Sequence, residues 1–169
     1  MTERDRMKRL LAIALLVAGC SSAGGYVPPA PTDTRTPWPD RFQTGVCLAL
    51  FDLSGMSDNL QQIADAASAF DVATVESEAA KMNDGAKSAA NHLSLIDPWA
   101  PGATLISHLS TAAVGFRKAA NLTIIGVKAS DAASITAGLK QLKTALAVYS
   151  KGKADLTELS ASTGFTCPF

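Results

Sequence analysis

The sequence contains few of the residues from which enzyme active sites are usually built. Its 169 residues include two histidines and three cysteines, and it lacks a Gly-x-Ser-x-Gly elbow, a phosphate-binding glycine loop, His-Glu-x-x-His and Cys-x-x-Cys. Beyond the first twenty residues the only glutamates are Glu76, Glu78 and Glu158, and none falls on the apolar stripes that the helical periodicity defines. Paired acid–base carboxylates are therefore not expected, and we predict that the protein is not an enzyme.

Long apolar runs, strand patterns and concentrated positive charge are also lacking. A transmembrane helix needs about 20 apolar residues, whereas the apolar run Leu10–Val17 has eight. The best strand signal, Leu122–Val127, fits the end of a helix better. Acidic and basic residues number fifteen each, which does not suggest the basic surface of a nucleic-acid-binding protein. No nucleic-acid partner is therefore expected.

What the first twenty residues do contain is the layout of a secretory signal. A basic segment at residues 6–9 precedes Leu10–Val17, and the small residues Ala18 and Gly19 stand directly before Cys20. The ending Val-Ala-Gly-Cys resembles the lipobox of bacterial lipoproteins, and the resemblance covers only this part of the chain. An uncleaved N-terminal anchor and a buried core helix are the alternatives.

The resemblance implies that residues 1–19 are removed and that Cys20 is lipidated, with a diacylglyceryl thioether and acyl chains such as palmitate. Either Met1 or Met7 can be the true start, because Met7 is followed by its own basic residues. Two or more acyl chains hold a protein stably on a membrane. The expected location is therefore the cell membrane, with the protein lipid-anchored on the extracytoplasmic side.

Composition divides the chain into a signal peptide (1–19), a lipidated, proline-rich tether (20–44) and a helical domain (45–169). The tether holds five of the eight prolines, which favours extended segments that cannot bury a core. Trp38 stands between two of these prolines. It either belongs to the spacer or docks onto the domain as a small aromatic anchor.

Apolar residues recur at helical spacing from Val46 onwards and predict four amphipathic helices. Turns are expected near Asp71, at residues 97–102 and at residues 130–131, with a stop at residues 162–164. Short turns make neighbouring helices antiparallel. The predicted fold is therefore an all-α, antiparallel up-down four-helix bundle.

The remaining cysteines, Cys47 and Cys167, are an even pair in an oxidising, extracytoplasmic setting. An up-down bundle brings them together at one end, where a disulfide would close the bundle. Two unrelated buried thiols are the alternative. Three aromatic residues, Trp99, Phe165 and Phe169, are expected to cover this disulfide, and Trp38 would join them if it docks onto the domain.

Charge is divided unevenly along the chain. Residues 33–97 carry ten acidic and four basic side chains, whereas residues 117–158 carry seven basic and three acidic ones. Without residues 1–19, 11 basic and 13 acidic residues remain. The last predicted helix is basic, and it either presents a solvated face or contacts anionic headgroups or cell-wall polymers. Its lysines are Lys140, Lys143, Lys151 and Lys153.

Two histidines form the single candidate metal site. His92 and His108 would face each other across a hairpin that turns near Trp99, and neutral imidazole is the commonest protein ligand for a metal. Asp52 and Asp97 are the nearby acids that could complete such a site. The alternative, which we favour, is two ordinary, partly exposed histidines, so no metal or other cofactor is assigned.

The sequence as a whole predicts a membrane-anchored extracytoplasmic lipoprotein with a helical domain that acts by binding or as a structural component. Its expected partners are the membrane, through Cys20, and an envelope protein or cell-wall polymer. The alternative is a carrier of a small apolar ligand, haem or a lipid, held between the helices. Such a ligand would need a cavity, for which Met82, Phe116 and Tyr149 are the candidate lining residues.

Overall fold

The computed structural model of the protein describes residues 38–69 and 71–167. The predictions for the signal peptide, for Cys20, for the tether up to residue 37 and for Phe169 lie outside these residues. The described part of the chain is helical and contains no strand, which confirms the all-α prediction. Its elements are α1 (Asp40–Ser54), α2 (Met56–Ser68), α3 (Val72–Ser94), a 3-10 turn (Ala100–Gly102), α4 (Ala103–Ala129) and α5 (Ala132–Thr163).

The first predicted helix is divided in two at Gly55. Because Gly55 keeps right-handed helical dihedral angles (φ −67°, ψ −13°), α2 begins immediately after it. Both α1 and α2 pack against α3. Counted as one interrupted helix, they give the four helical segments that the apolar periodicity predicts.

Helix α1 begins at Asp40, inside the segment 20–44 that composition assigns to the tether. Pro39 is the last proline of this segment. It has an extended backbone conformation and directly precedes the first helical residue. Phe42 and Val46 are fully buried, so the first turn of α1 contributes to the core. The boundary at residue 45 was therefore five residues too late.

Two aspartates begin helices where the sequence predicts turns. Asp71 precedes α3, and its carboxylate accepts hydrogen bonds from the backbone N–H of Thr74 (3.1 Å) and from the Thr74 hydroxyl (2.7 Å). Asp131 precedes α5 and accepts from the N–H of Ala133 (2.9 Å) and the hydroxyl of Ser134 (2.6 Å). The bonds from the Thr74 and Ala133 N–H groups are N-cap bonds, because a helix start leaves these backbone donors without intrahelical partners.

Small residues let α4 and α5 approach closely. A Cβ atom placed on Gly138 of α5 would lie 3.2 Å from the carbonyl oxygen of Ala119 on α4. One placed on Gly115 of α4 would lie 2.9 Å from the Cβ of Ala145. Residues 138, 145 and 152 of α5 are Gly, Ala and Gly, and a seven-residue spacing keeps them on one face. This face holds α5 against α4.

Helix α4 lies between α3 and α5, and α1 and α2 make little direct contact with α5 among the described residues. The first and last helices are joined instead by the predicted disulfide, Cys47–Cys167, whose Cα atoms are 5.5 Å apart. Helix α5 ends at Gly164, which adopts a left-handed conformation (φ 75°) that glycine accepts without strain. The chain then returns to α1. We call this region of the domain the disulfide end.

Four aromatic side chains, which we call the aromatic cap, pack at the disulfide end. The Phe165 ring makes edge-to-face contacts with Trp38 and Phe42, both at a centroid distance of 5.6 Å. The rings of Phe42 and Trp99 are 4.8 Å apart. These contacts bring Trp38, Trp99 and Phe165 into one cluster with Phe42, which was not expected because it lies in the proline-rich segment.

Candidate functional site

An apolar cleft of about 350 Å³ opens far from the disulfide end. It lies between α2, the start of α3, the end of α4 and the start of α5. Leu139 in the cleft is 24 residues from the end of α5 at Thr163, which is roughly 36 Å along the helix. The described lining residues are Leu60, Ile63, Ala64, Ala67, Asp71, Val72, Val75, Thr123, Val127, Ile135 and Leu139.

The cleft leaves aliphatic side chains at the start of α3 and in the first part of α5 partly uncovered. The side chains of Val72 and Leu139 are 56% and 52% exposed, although both are large and aliphatic. Nine of the eleven described lining residues are aliphatic. Binding pockets for small molecules have volumes of about 300–1,000 Å³ and mostly apolar walls. The cleft is at the lower end of that range.

The polar groups of the cleft are Asp71 and Thr123. Hydrogen bonds from the Thr74 side chain and backbone hold the pKa of Asp71 below its usual value. The Ser134 hydroxyl and the Ala133 N–H do the same for the pKa of Asp131 at the start of α5. Both carboxylates are therefore ionised at neutral pH. Thr123 is buried and donates its hydroxyl hydrogen to the carbonyl oxygen of Ala119 (3.0 Å).

These pKa shifts also fix how the two caps respond to acid. An unfolded Asp carboxyl has a pKa of about 3.9, and both folded values are lower. The caps therefore contribute their full stabilisation above that pH. The contribution is lost as the pH falls through the lowered pKa values, because the protonated carboxyl caps the helix less well.

The structure pairs the two histidines with different helices rather than with each other. His108 Nδ1 lies 2.5 Å from Asp155 Oδ2 of α5. His92 Nε2 lies 3.4 Å from Ser88 Oγ and 3.6 Å from Asp52 Oδ2 of α1. No group of three or more histidines, cysteines, aspartates and glutamates suited to a metal ion occurs within residues 38–69 and 71–167.

One glutamate is buried, contrary to the expectation from its position beside the apolar stripe of α3. Glu78 is 4% exposed and accepts a hydrogen bond from Lys81 Nζ at 2.6 Å. With its amide nitrogen turned towards the carboxylate, Gln62 of α2 donates to Glu78 Oε1 at 3.1 Å. The sequence feature that allows this burial is Lys81, three residues after Glu78, because its ammonium group pairs with the carboxylate. This arrangement joins α2 to α3.

The three residues expected to line a ligand cavity are packed in the core instead. Met82 and Phe116 are fully buried and Tyr149 is nearly so. The rings of Phe116 and Tyr149 meet edge to face at 6.3 Å, and burial raises the pKa of the Tyr149 hydroxyl. None of the three lines the apolar cleft. The cleft was missed because its walls come from four separate helices.

No model of a known protein family matches this chain, and no curated protein or solved structure matches it either. Among the helices of the described residues, none has both the length and the apolar character that a membrane-spanning helix requires. The apolar cleft is the feature of the described residues whose chemistry indicates a function.

Proposed function

We propose that this protein is a lipid-anchored, extracytoplasmic binding protein that holds a small apolar molecule in the apolar cleft. The cleft supports the proposal because nine of its eleven described lining residues are aliphatic and two of them, Val72 and Leu139, are more than half exposed. Covering such walls with hydrocarbon stabilises a complex by about 0.8 kcal/mol per buried methylene. The surface of the cleft therefore favours an apolar ligand.

The chemistry of the lining favours a hydrocarbon chain over haem. Haem iron is held by an axial ligand from histidine, cysteine, methionine or tyrosine. None of the described residues that line the cleft is of these types. An acyl or alkyl chain needs no such ligand, and aliphatic walls suit it. We therefore propose a lipid-like ligand.

The proposal extends to the fold, which we interpret as an antiparallel up-down four-helix bundle carried on a proline-rich tether. Leu109 and Ala119 of α4 lie against Gly152 and Gly138 of α5 respectively, an order that supports antiparallel helices. Trp38 joins the aromatic cap, so the chain enters the domain at the disulfide end. In this interpretation Trp38 and the cleft are at opposite ends of the bundle.

The membrane anchor is tested by replacing Cys20 with alanine. Without the sulfur that would carry the lipid, the variant is expected in the soluble fraction after ultracentrifugation, whereas the wild-type protein sediments with membranes. A Ser21→Ala variant is the matched control and should stay with the membranes. Recovery of the wild-type protein in the soluble fraction, or a mass showing an unmodified N-terminal cysteine, would exclude the anchor.

The ligand site is tested by filling the cleft. Ala67 lines the cleft and is exposed, so Ala67→Phe blocks the site without disturbing the buried core. We expect titration calorimetry to show that decanol binds the wild-type protein and binds this variant at least tenfold more weakly. Ala137 is exposed on α5 outside the cleft, and Ala137→Phe should bind as the wild type does. Absence of heat with the wild-type protein would refute the proposed ligand class.

A further inference from the structure

We infer that the apolar cleft selects single-chain amphiphiles with an uncharged or cationic head group and excludes those with an anionic one. This inference rests on the proposed function and specifies its ligand. Asp71 is the one charged residue among the described lining residues. A carboxylate or phosphate head group at this position would bring two negative charges together.

Asp71 can bind a hydrogen-bond donor while it caps α3. Its two oxygens accept from the N–H and the hydroxyl of Thr74, one bond to each oxygen. A carboxylate has about four lone-pair positions, so each oxygen keeps the capacity to accept another bond. A ligand hydroxyl or ammonium can supply that bond, whereas an ionised carboxylate has no hydrogen to donate. The positive end of the α3 dipole is already occupied by Asp71 itself.

The charged groups on the neighbouring elements do not reverse this preference. Lys128 at the end of α4 is paired with Glu76 of α3 at 2.8 Å, so its charge is matched. Asp65 directly follows the lining residue Ala64 on α2, and Asp131 caps α5, which carries the lining residues Ile135 and Leu139, so both add negative charge to the elements that form the cleft. Lys140 follows Leu139 on α5 but does not line the cleft. The ionic balance around the cleft is therefore negative.

The head-group preference is measured with three ligands that each contain a ten-carbon chain. They are decanol, used below its solubility limit, and decylammonium and decanoate, used below their critical micelle concentrations, all titrated calorimetrically at pH 8 and low salt. We expect the wild-type protein to bind the first two and to bind decanoate at least tenfold more weakly than decanol. Added salt should narrow the difference, since it screens exposed charges.

The variant Asp71→Asn separates charge from capping, because asparagine is as good an N-cap as aspartate. In this variant the affinity for decanoate should come within threefold of the affinity for decanol, while the affinity for decanol is unchanged. Asp84→Asn removes an exposed carboxylate of α3 away from the cleft and should keep the wild-type preference. Equal binding of decanoate and decanol by the wild-type protein would overturn the inference and leave the proposed function standing. Failure of all three ligands to bind would overturn both.

Discussion

Replacement of both Cys47 and Cys167 by serine is expected to lower the free energy of unfolding by about 5 kcal/mol. The disulfide joins residues that are 120 apart in the sequence, so it removes a large part of the conformational freedom of the unfolded chain. Helices α1 and α5 themselves make little direct contact among the described residues, so the connection between them runs through the segment after α5. The loss is measured by guanidinium unfolding of the oxidised wild-type domain and of the double variant.

A reducing agent supplies the control for this prediction. It should destabilise the wild-type domain by about as much as the two substitutions do, and it should leave the serine variant unchanged. Single domains typically have a free energy of unfolding of about 5–15 kcal/mol. The double variant is therefore expected to be only marginally folded, and its unfolding is measured at several temperatures. A change below about 2 kcal/mol would mean that the unfolded chain is already compact.

The helix boundaries that the sequence predicted are those that depend on local chemistry. Asp71 and Asp131 bond to backbone groups two or three residues away, and Gly164 takes up a left-handed conformation at the end of α5. Each of these preferences is a property of a few adjacent residues. They could therefore be predicted without knowing which helices are neighbours.

The start of α1 could not be predicted in the same way. Proline composition indicated a tether up to residue 44, but the helix begins at Asp40. The reason is tertiary, because Phe42 is ordered by contacts with Trp99 and Phe165, which are far from it in the sequence. A single buried aromatic residue thus outweighs the composition of the segment around it.

The apolar cleft could not be predicted from the sequence for a related reason. Ile63, Ile135 and Leu139 belong to stripes that predict a buried core, and nothing in a stripe shows whether another helix will cover it. Close packing at Gly126 and Gly138 holds the start of α5 against α4. Leu139 then faces the cleft and stays half exposed.

The two histidines show what helical spacing can predict and what it cannot. His92 lies near the end of α3 and His108 near the start of α4, and the sequence predicted that they would face each other. Their directions depend on the rotation of each helix about its own axis. His92 points towards α1 and His108 towards α5, because α3 packs on α1 while α4 packs on α5.

Phe165→Ala is expected to cost about 3–5 kcal/mol, the usual range for removing a buried phenylalanine from a core. The side chain is 0% exposed and contacts two other rings of the aromatic cap. Phe165→Leu keeps much of the apolar volume, so we expect it to cost less than half as much. Both variants are compared with the wild type by guanidinium unfolding, with Val114→Ala on the exposed surface of α4 as a control.

The effect of Phe165→Ala should depend on the disulfide, because both hold the same short segment against α1. Gln43 Nε2 adds a third contact by donating to the carbonyl oxygen of Thr166 at 2.6 Å. Neighbouring residues that share contacts usually couple by about 0.5–3 kcal/mol. In the background without Cys47 and Cys167, the alanine substitution should therefore cost less than in the wild type, since the segment is already partly released. Equal costs in both backgrounds would mean that the aromatic cap keeps its order without the bridge.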